Sequence, residues 1–533
     1  MTNAEPVSER GTGPLPSCKA SRMGRRVDEL VREIAGATLV AGDPNTFVTG
    51  GHHDSRRIES GHAFVARPGL RTHGERFVAD AIARGASVVI APRGTASPVP
   101  GVAWIETDDA AKALAFASAV VYGHPTFSLE AVGITGTNGK TTTSHLVHAC
   151  IEACGGQPGL VGTLGYRFAD LDLPATHTSP EADELARIAA AMLARGASHL
   201  VMEVSSIALA AARVEAVRFR TVAMTNLTQD HLDYHGSMEA YAEAKARLFV
   251  DLGPGSAAVN IDDPFGRDLV GRLAPGGLAG PTSATLLRYS ANPNASSKEA
   301  DVAPTAVRHT PAGISLEVRT PGGNLALESP LVGGHNVQNL LCAISIAHLL
   351  NLDLRKAADA LSKPIAVAGR LERCDDPAKD DVIVLVDYAH TPDALARVLE
   401  SVRAYGQRRV VCVFGCGGDR DPKKRPLMGE AVGRGADVAF VTNDNPRSED
   451  PQSIIDAILP GLSGSKAKVE VEPDRAKAIE RAVLEAAPGD IVLVAGKGHE
   501  PYQIIGSVTL AFDDRVEARR ALELRRSARG GEA

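Results

Sequence analysis

The sequence lacks the marks of a secreted, membrane-spanning or nucleic-acid-binding chain. Its 533 residues include only seven cysteines. They are scattered and odd in number, and the closest pairs, Cys150/Cys154 and Cys412/Cys416, have no second pair nearby to complete a zinc site. They read as reduced cytosolic thiols. No sign of charge prevails, since 57 Lys and Arg against 64 Asp and Glu leave a net charge of −7. That balance gives no electrostatic footprint for nucleic acid or an anionic membrane. Long apolar runs are missing too. The longest, near residues 340–352, contains His348 and Asn351 and falls short of the roughly 20 residues that cross a bilayer. Residues 1–24 are polar, rich in Ser, Gly and Pro, and without the apolar core of a secretory signal, so they read as a disordered lead-in.

What is present is the composition of a globular protein, 44% hydrophobic, with 52 glycines and 32 prolines for many tight turns. At about 150 residues per domain, the length predicts three domains. The expected class is α/β throughout. Residues 25–127 alternate short β-type runs (63–66, 87–90) with a helical pattern over 76–84, predicting a small α/β domain. Residues 128–361 carry strand candidates at 131–135, 200–204, 221–226 and 257–261 between helices, the pattern of a parallel sheet covered on both faces. Within that span, 270–335 reads as irregular and β-rich, followed by helices at 336–350 and 354–361. Residues 362–533 repeat an apolar strand and a polar loop four times (382–386, 410–414, 438–442, 491–495), predicting a Rossmann-like domain. Open parallel sheets bind ligands beyond the carboxyl ends of their strands, so the loops from Asp387, Gly415, Asn443 and Gly496 are expected to converge on a second site.

The first site is announced by Gly133-Ile-Thr-Gly136-Thr137-Asn138-Gly139-Lys140-Thr141-Thr142, placed between a strand and a helix. Small residues there let backbone N–H groups reach phosphate oxygens, Lys140 adds positive charge, and Thr141 offers a hydroxyl to magnesium. These features predict bound ATP, although Ile134 stands where the usual phosphate loop has glycine. Glu203 ends one neighbouring strand candidate and His231 follows another, where both could complete magnesium coordination. Lys245 lies on the next helix and, taken alone, is a solvated surface lysine.

Six ordered motifs together resemble the Mur ligases: Gly136-Thr-Asn-Gly-Lys-Thr-Thr142, Met202-Glu-Val-Ser-Ser206, Asn226-Leu-Thr-Gln-Asp-His-Leu-Asp233, Gly333-Gly-His-Asn336 with Asn339, Gly369-Arg370-Leu-Glu372 and Asp387-Tyr-Ala-His390. The resemblance spans about residues 25–525 and is strongest to the members that add the third peptide residue. It implies a bacterial, cytoplasmic enzyme of peptidoglycan precursor synthesis whose domains bind, in turn, a UDP-sugar, ATP and an amino acid. The implied reaction activates the glutamyl carboxylate of UDP-N-acetylmuramoyl-L-alanyl-D-glutamate as an acyl phosphate, which an amine then attacks. Lys140, Glu203, His231 and Lys245 become catalytic by this resemblance. It also implies a carbamylated Lys245 (N6-carboxylysine) joining Thr141, Glu203 and His231 around magnesium, and Arg370 and Asp387 on the nucleotide. Ser55, in Asp54-Ser-Arg56, matches the uridine-binding segment, with 68–74 a weaker match; Thr178, Ser179, Ser205 and Arg213 match the sugar-peptide site. Many relatives have His-Gly and then Gln where this chain has Ile207, Ala208 and Ala211.

The loop Asp444-Asn445-Pro446-Arg447 bears on which amine is added. An arginine on a proline-stiffened turn can pair bidentately with a carboxylate, and meso-diaminopimelate has a distal carboxylate that L-lysine lacks. The diaminopimelate-adding members of the family carry this loop, and their other binding positions match Arg420, Gly496 and Glu500. The expected partners are therefore the UDP-muramoyl dipeptide, ATP and meso-diaminopimelate, with no nucleic acid or membrane, for a monomeric enzyme. The competing readings are addition of L-lysine and a ligase resembling folylpolyglutamate synthase.

Overall fold

A computed structural model describes residues 24–69, 73–95, 98–274, 284–310, 313–365, 367–403 and 408–530. The lead-in over 1–23 lies outside the described residues. Three α/β domains follow one another, each around its own sheet.

The first sheet has five strands in the order Thr38–Ala41, Ala103–Thr107, Val88–Pro92, His62–Val65, Gly50–His52, all parallel but the first. Helix Ala110–Val121 covers one face with Ala113, Leu114, Ala117, Val120 and Val121, and Trp104 is buried on the other.

The central sheet has eight strands, ordered Leu171–Leu173, Gly165–Phe168, Pro158–Gly162, His199–Glu203, Glu130–Thr135, Phe219–Met224, Ser256–Asn260, Thr285–Tyr289. The first two form an antiparallel edge hairpin; the rest run parallel. Parallel strands covered on both faces need apolar residues at consecutive positions, and Ala131, Val132 and Ile134 are fully buried in the middle strand. Gly133 sits between them because a Cβ there would meet the Phe219 ring at 2.6 Å. Helix Lys140–Ala153 packs Leu146, Val147, Cys150 and Ile151 beneath helix Gly334–Leu349, whose Leu340 to Ala347 are almost wholly buried.

The stretch 270–335 is more regular than its Pro, Gly and Ser content predicted. Strands Ala303–Thr310, Gly313–Thr320 and Gly323–Ser329 form an antiparallel meander. Ile314, Leu316, Val318 and Leu327 pack one face of it into the central core, while Glu317 and Ala326 face solvent. Residues 275–283 lie outside the described residues.

The last sheet is ordered Glu372–Arg373, Ile383–Asp387, Ile491–Ala495, Val410–Phe414, Val438–Val441, Lys468–Val471, parallel except at its first edge. The strand Lys468–Val471 goes beyond the four expected; it is an edge strand, mostly exposed, and so lacks the apolar run that marks the others. Helix Asp514–Gly530 closes the chain and buries only Ala518, Ala521 and Leu522 as apolar contacts.

That helix is tied down by a buried ion pair: Asp514 meets Arg475 at 2.7 Å with neither side chain exposed. Arg475 also donates to the carbonyls of Ala495 (2.9 Å) and Asn443 (3.3 Å), the ends of two strands. Removing one partner of such a pair leaves a buried charge uncompensated. Asp514→Ala is expected to destabilise the C-terminal domain by about 3–5 kcal/mol, read as an earlier urea transition; an unshifted transition would refute the role.

Candidate active site

The phosphate loop leaves the middle strand of the central sheet, so the two neighbouring strands deliver their own carboxyl-end residues to it. Gly139 has φ +86°, and a Cβ on it would lie 2.4 Å from Asn339 Oδ1, which excludes other residues at the helix entrance. Lys140 opens the helix and folds back to donate to the carbonyls of Gly136 and Thr137, each at 2.9 Å. Burial lowers its pKa, against the pull of Glu203 and Asp230. From the next strand end, the Asn226 side chain accepts the Asn138 N–H at 2.9 Å, and Thr225 Oγ1 donates to the Asn138 carbonyl at 2.7 Å. The loop is thus braced with its N–H face toward a helix N-terminus suited to anions.

Glu203 is 1% exposed and accepts three hydrogen bonds: from Thr141 Oγ1 at 2.9 Å, Thr163 N at 2.8 Å and Thr163 Oγ1 at 3.1 Å. Gly162 stands against it, since a Cβ there would come within 2.3 Å of Glu203 Oε1. His231, exposed and in the left-handed region at φ +53°, faces Asp230 at 3.5 Å.

Lys245 differs most from its appearance in the sequence. It is 1% exposed, donates to the Gly136 carbonyl at 2.9 Å and lies 4.7 Å over the Tyr241 ring. Helix Met238–Val250 buries Tyr241, Ala244, Lys245 and Leu248 on one face, and the lysine shares it by helical spacing. Burial first, then the charge of Lys140, lowers its pKa far below that of an ordinary lysine.

A cavity of about 250 Å³ opens beside the loop, between helix Gly334–Leu349 and the C-terminal domain, lined by Lys140, Asn336, Arg370, His390 and Arg397 among others. Arg370 reaches Thr141 Oγ1 at 3.3 Å and stacks 4.8 Å over Tyr388. Asp387 accepts the N–H groups of Leu371 (2.7 Å) and Ala389 (2.8 Å), so it fixes the backbone around the cavity; burial raises its pKa.

Toward the first domain, Thr178 Oγ1 meets Thr163 Oγ1 at 3.1 Å, and Ser179 Oγ donates to the Glu203 carbonyl at 2.9 Å while accepting the Ser205 N–H at 3.0 Å. Ser205 caps helix Ser206–Ala210, where Ala208 is fully buried. Arg213, read in the sequence as a partner for substrate charge, holds a carboxylate of its own chain: Glu181, at 2.7 Å. Arg67 of the first domain holds the same Glu181 at 2.8 Å. Ser55 is buried in the turn Ser55–Arg57. Residues 70–72 of the weaker uridine match lie outside the described residues.

The strand-end loops of the C-terminal sheet do converge. Asn445 donates to Glu500 at 3.0 Å; Arg447, at φ +53°, donates its backbone N–H to the Ile504 carbonyl and, through Nη1, to the Gly418 carbonyl at 2.7 Å. Pro446 is buried between these residues, and Arg420 is exposed at the rim. Gly496 passes so near Asp444 that a Cβ would lie 2.6 Å from Oδ2.

Family models match along almost the whole chain: "Mur ligase family, catalytic domain" over residues 48–122, "Mur ligase middle domain" over 134–347, and "Mur ligase, glutamate ligase domain" over 369–498. The chain is 43% identical over 486 residues to a Gloeobacter violaceus protein named UDP-N-acetylmuramoyl-L-alanyl-D-glutamate–2,6-diaminopimelate ligase, covering 91% of this chain and 96% of that one. A Solibacter usitatus protein of the same name is 42% identical over 481 residues, with 90% and 94% covered. The chain belongs to the Mur ligase family. A solved structure of a UDP-N-acetylmuramoyl-L-alanyl-D-glutamate–2,6-diaminopimelate ligase superposes on this Mur ligase with a TM-score of 0.67 at 33% identity, covering 94% of this chain and 99% of the other.

Several residues that build the site of this Mur ligase escape sequence reasoning. Lys497 is wholly buried, donating to Asn445 Oδ1 at 3.1 Å and reaching Glu500 at 3.4 Å. Tyr388 carries Arg370 on its ring and donates to Glu500 at 3.4 Å, so it touches both the cavity beside the phosphate loop and the strand-end loops around Glu500. His335 borders the cavity, with burial and Arg397 pushing its pKa down to about 4. The available signal was adjacency, since Lys497, Tyr388 and His335 each stand within a quoted motif or beside a chosen residue.

Among the described residues no cluster of three or more His, Cys, Asp or Glu side chains forms a metal cage. The oxygen donors of Thr141, Thr163 and Glu203 instead suit a hard cation shared with substrate phosphates. Because Glu203 is held by contacts with no slack, Gly162→Ala is expected to displace its carboxylate and lower kcat roughly 10–100-fold while the far-ultraviolet circular dichroism stays that of the wild type. A kcat within twofold of wild type would remove Glu203 from the reaction.

Proposed function

We propose that this Mur ligase joins meso-diaminopimelate to the D-glutamyl carboxylate of UDP-N-acetylmuramoyl-L-alanyl-D-glutamate, using ATP, in bacterial peptidoglycan precursor synthesis. The observation that carries the choice of amine is that the loop holding Arg447 also holds Glu500, through Asn445 at 3.0 Å, at the carboxyl ends of the C-terminal sheet. Arg447 offers a guanidinium to the distal carboxylate of the diamino acid, and Glu500 an acceptor to its distal ammonium. Arg420, Asp444, Asn445, Pro446 and Gly496 shape the same pocket. We take the enzyme to act as a monomer in the cytoplasm, where ATP and the UDP-linked precursor are found.

Carboxylate is a poor electrophile, so the reaction needs activation before an amine can attack. The loop from Gly136 to Thr142 binds the phosphates of ATP, with Asn336, Arg370 and Asp387 around the nucleotide. The glutamyl oxygen attacks the γ-phosphorus and ADP leaves. The amine then adds to the acyl phosphate, loses a proton, and inorganic phosphate departs to leave the amide. Lys140 offsets charge on the transferred phosphoryl group. Thr178, Ser179, Ser205 and Arg213 position the peptide, with Ser55 at the uridine end.

Thr141 and Glu203 would hold magnesium, with His231 and Lys245 completing its surroundings. When bound, the ion neutralises charge on the phosphate oxygens. The Lys245 amine is buried and biased toward its neutral form, as carbamylation by carbon dioxide requires. Lys245→Ala is expected to abolish activity and to regain part of it with added short carboxylates such as formate or acetate; full activity without them would sink the carbamate.

The amine is tested by amino-acid-dependent phosphate release with the UDP-muramoyl dipeptide. Release with meso-diaminopimelate and not with L-lysine is expected. Arg447→Ala should raise the KM for diaminopimelate at least tenfold, on the order expected when a charged partner is lost, and leave the KM for ATP within twofold. Equal effects on both constants, or lysine-driven release in the wild type, would overturn the assignment.

A further inference from the structure

We infer that Asp393 is a positioning residue that latches the C-terminal domain to the phosphate loop, so that nucleotide binding and docking of that domain depend on each other. Asp393 stands in the first turn of helix Pro392–Arg403. Its Oδ2 accepts from Asn138 Nδ2 at 3.1 Å and from Thr228 Oγ1 at 3.0 Å, both in the central domain. Asn138 is a residue of the phosphate loop itself, and its backbone N–H and carbonyl are already held by Asn226 and Thr225. The central domain thus secures the loop's backbone, while the Asn138 side chain is shared between Asp393 at 3.1 Å and the central domain's Thr228 Oγ1 at a longer 3.4 Å.

The same helix face does more than touch. Two turns further on, Ser401 Oγ meets His335 Nδ1 at 2.8 Å, a third hydrogen bond from this helix to the central domain. Between these contacts Ala394, Arg397 and Val398 line the nucleotide cavity. Positions 393, 394, 397, 398 and 401 follow helical spacing, so a single face both docks the domain and walls the cavity. A ligand in a cavity built from two domains favours the state in which both walls are present. A carboxylate beside a phosphate loop would by itself repel ATP, but Arg397 Nε lies 3.1 and 3.0 Å from the two Asp393 oxygens and offsets that charge.

The inference deepens the ligase reading and rests on it for its kinetic half alone. Asp393→Ala is expected to raise the KM for ATP, and the Kd for a non-hydrolysable ATP analogue titrated into the full chain, by roughly tenfold to a hundredfold. The KM for the UDP-muramoyl dipeptide should stay within twofold and the melting temperature of the unliganded protein within a few degrees. Thr228→Val should weaken analogue binding by a smaller factor and add nothing in the Asp393→Ala background, because both remove one junction. Small-angle scattering should show the analogue compacting the wild type and not Asp393→Ala. Unchanged analogue affinity in Asp393→Ala, additive effects of the two substitutions, or equal compaction would each overturn the latch. The analogue titration and the scattering need no amine, so a failed ligase reading would show separately, as absent product in the wild type.

Discussion

The Gly136 carbonyl oxygen accepts from two lysines, Lys140 and Lys245, each at 2.9 Å. Much of the central domain's chemistry depends on that crowding. Two ammonium groups drawn to one oxygen in a poorly solvated place cannot both keep their charge without cost. Lys140 has Glu203 and Asp230 to favour its charged form, whereas Lys245 has Asp230 set against full burial and the repulsion of Lys140. Burial lowers both pKa values, least opposed at Lys245, so Lys140 is the better placed of the two to stay a cation and Lys245 the more biased toward neutrality. The first is what a polyphosphate needs; the second is what a carboxylating reaction on nitrogen needs. Two chemically identical side chains on one carbonyl are therefore set apart by their other neighbours, Glu203 beside Lys140 and Lys140 beside Lys245.

How much of this was legible in the sequence follows from how far apart the deciding residues lie. The phosphate loop is local: glycines, a lysine and two threonines between an apolar strand and a helix specify their own geometry. The same holds for the strands Val410–Phe414 and Ile491–Ala495, whose apolar runs are bounded by polar loops, and they fall where expected. Lys245 was not legible from its neighbours, because a charged residue on an amphipathic helix is ordinarily solvated and its burial depends on which face meets the loop. The three-stranded meander was hidden by its Pro, Gly and Ser content, and the last helix by its charge: its hold on the domain comes from Arg475–Asp514 and from Arg525 with Asp381 at 2.8 Å, at least as much as from apolar area. Asp393 lies 255 positions from its partner Asn138, beyond any reading of local pattern.

Family resemblance and physical reading contribute at different levels. The six motifs placed the chain among the Mur ligases, and the matches along the chain agree. The resemblance did not reveal that Arg213 shares Glu181 with Arg67 of the first domain, a contact that ties two domains at the sugar-peptide side. Nor did it reveal that Tyr388 sits under Arg370 while its hydroxyl reaches Glu500. Each arrangement places a single side chain, Glu181 or Tyr388, between two charged partners from separate parts of the chain, a way to hold distant segments in register.

Selectivity for the amine then follows from what is left unpaired. Glu500 is shared among Asn445, Lys497 and Tyr388, with the Lys497 ammonium at a long 3.4 Å, so an incoming ammonium meets a carboxylate whose charge is only partly answered. L-Lysine could supply that ammonium as well as meso-diaminopimelate could. It has no distal carboxylate to offer Arg447, whose guanidinium donates through Nη1 to the Gly418 carbonyl. A site built to pair a charged group rejects an analogue lacking it more strongly than an apolar pocket rejects a missing methylene, because the desolvated partner is left without a bond. On the proposed reading the discrimination would therefore rest with the arginine on its proline-stiffened turn, and the acid at Glu500 would contribute affinity that either amine could use.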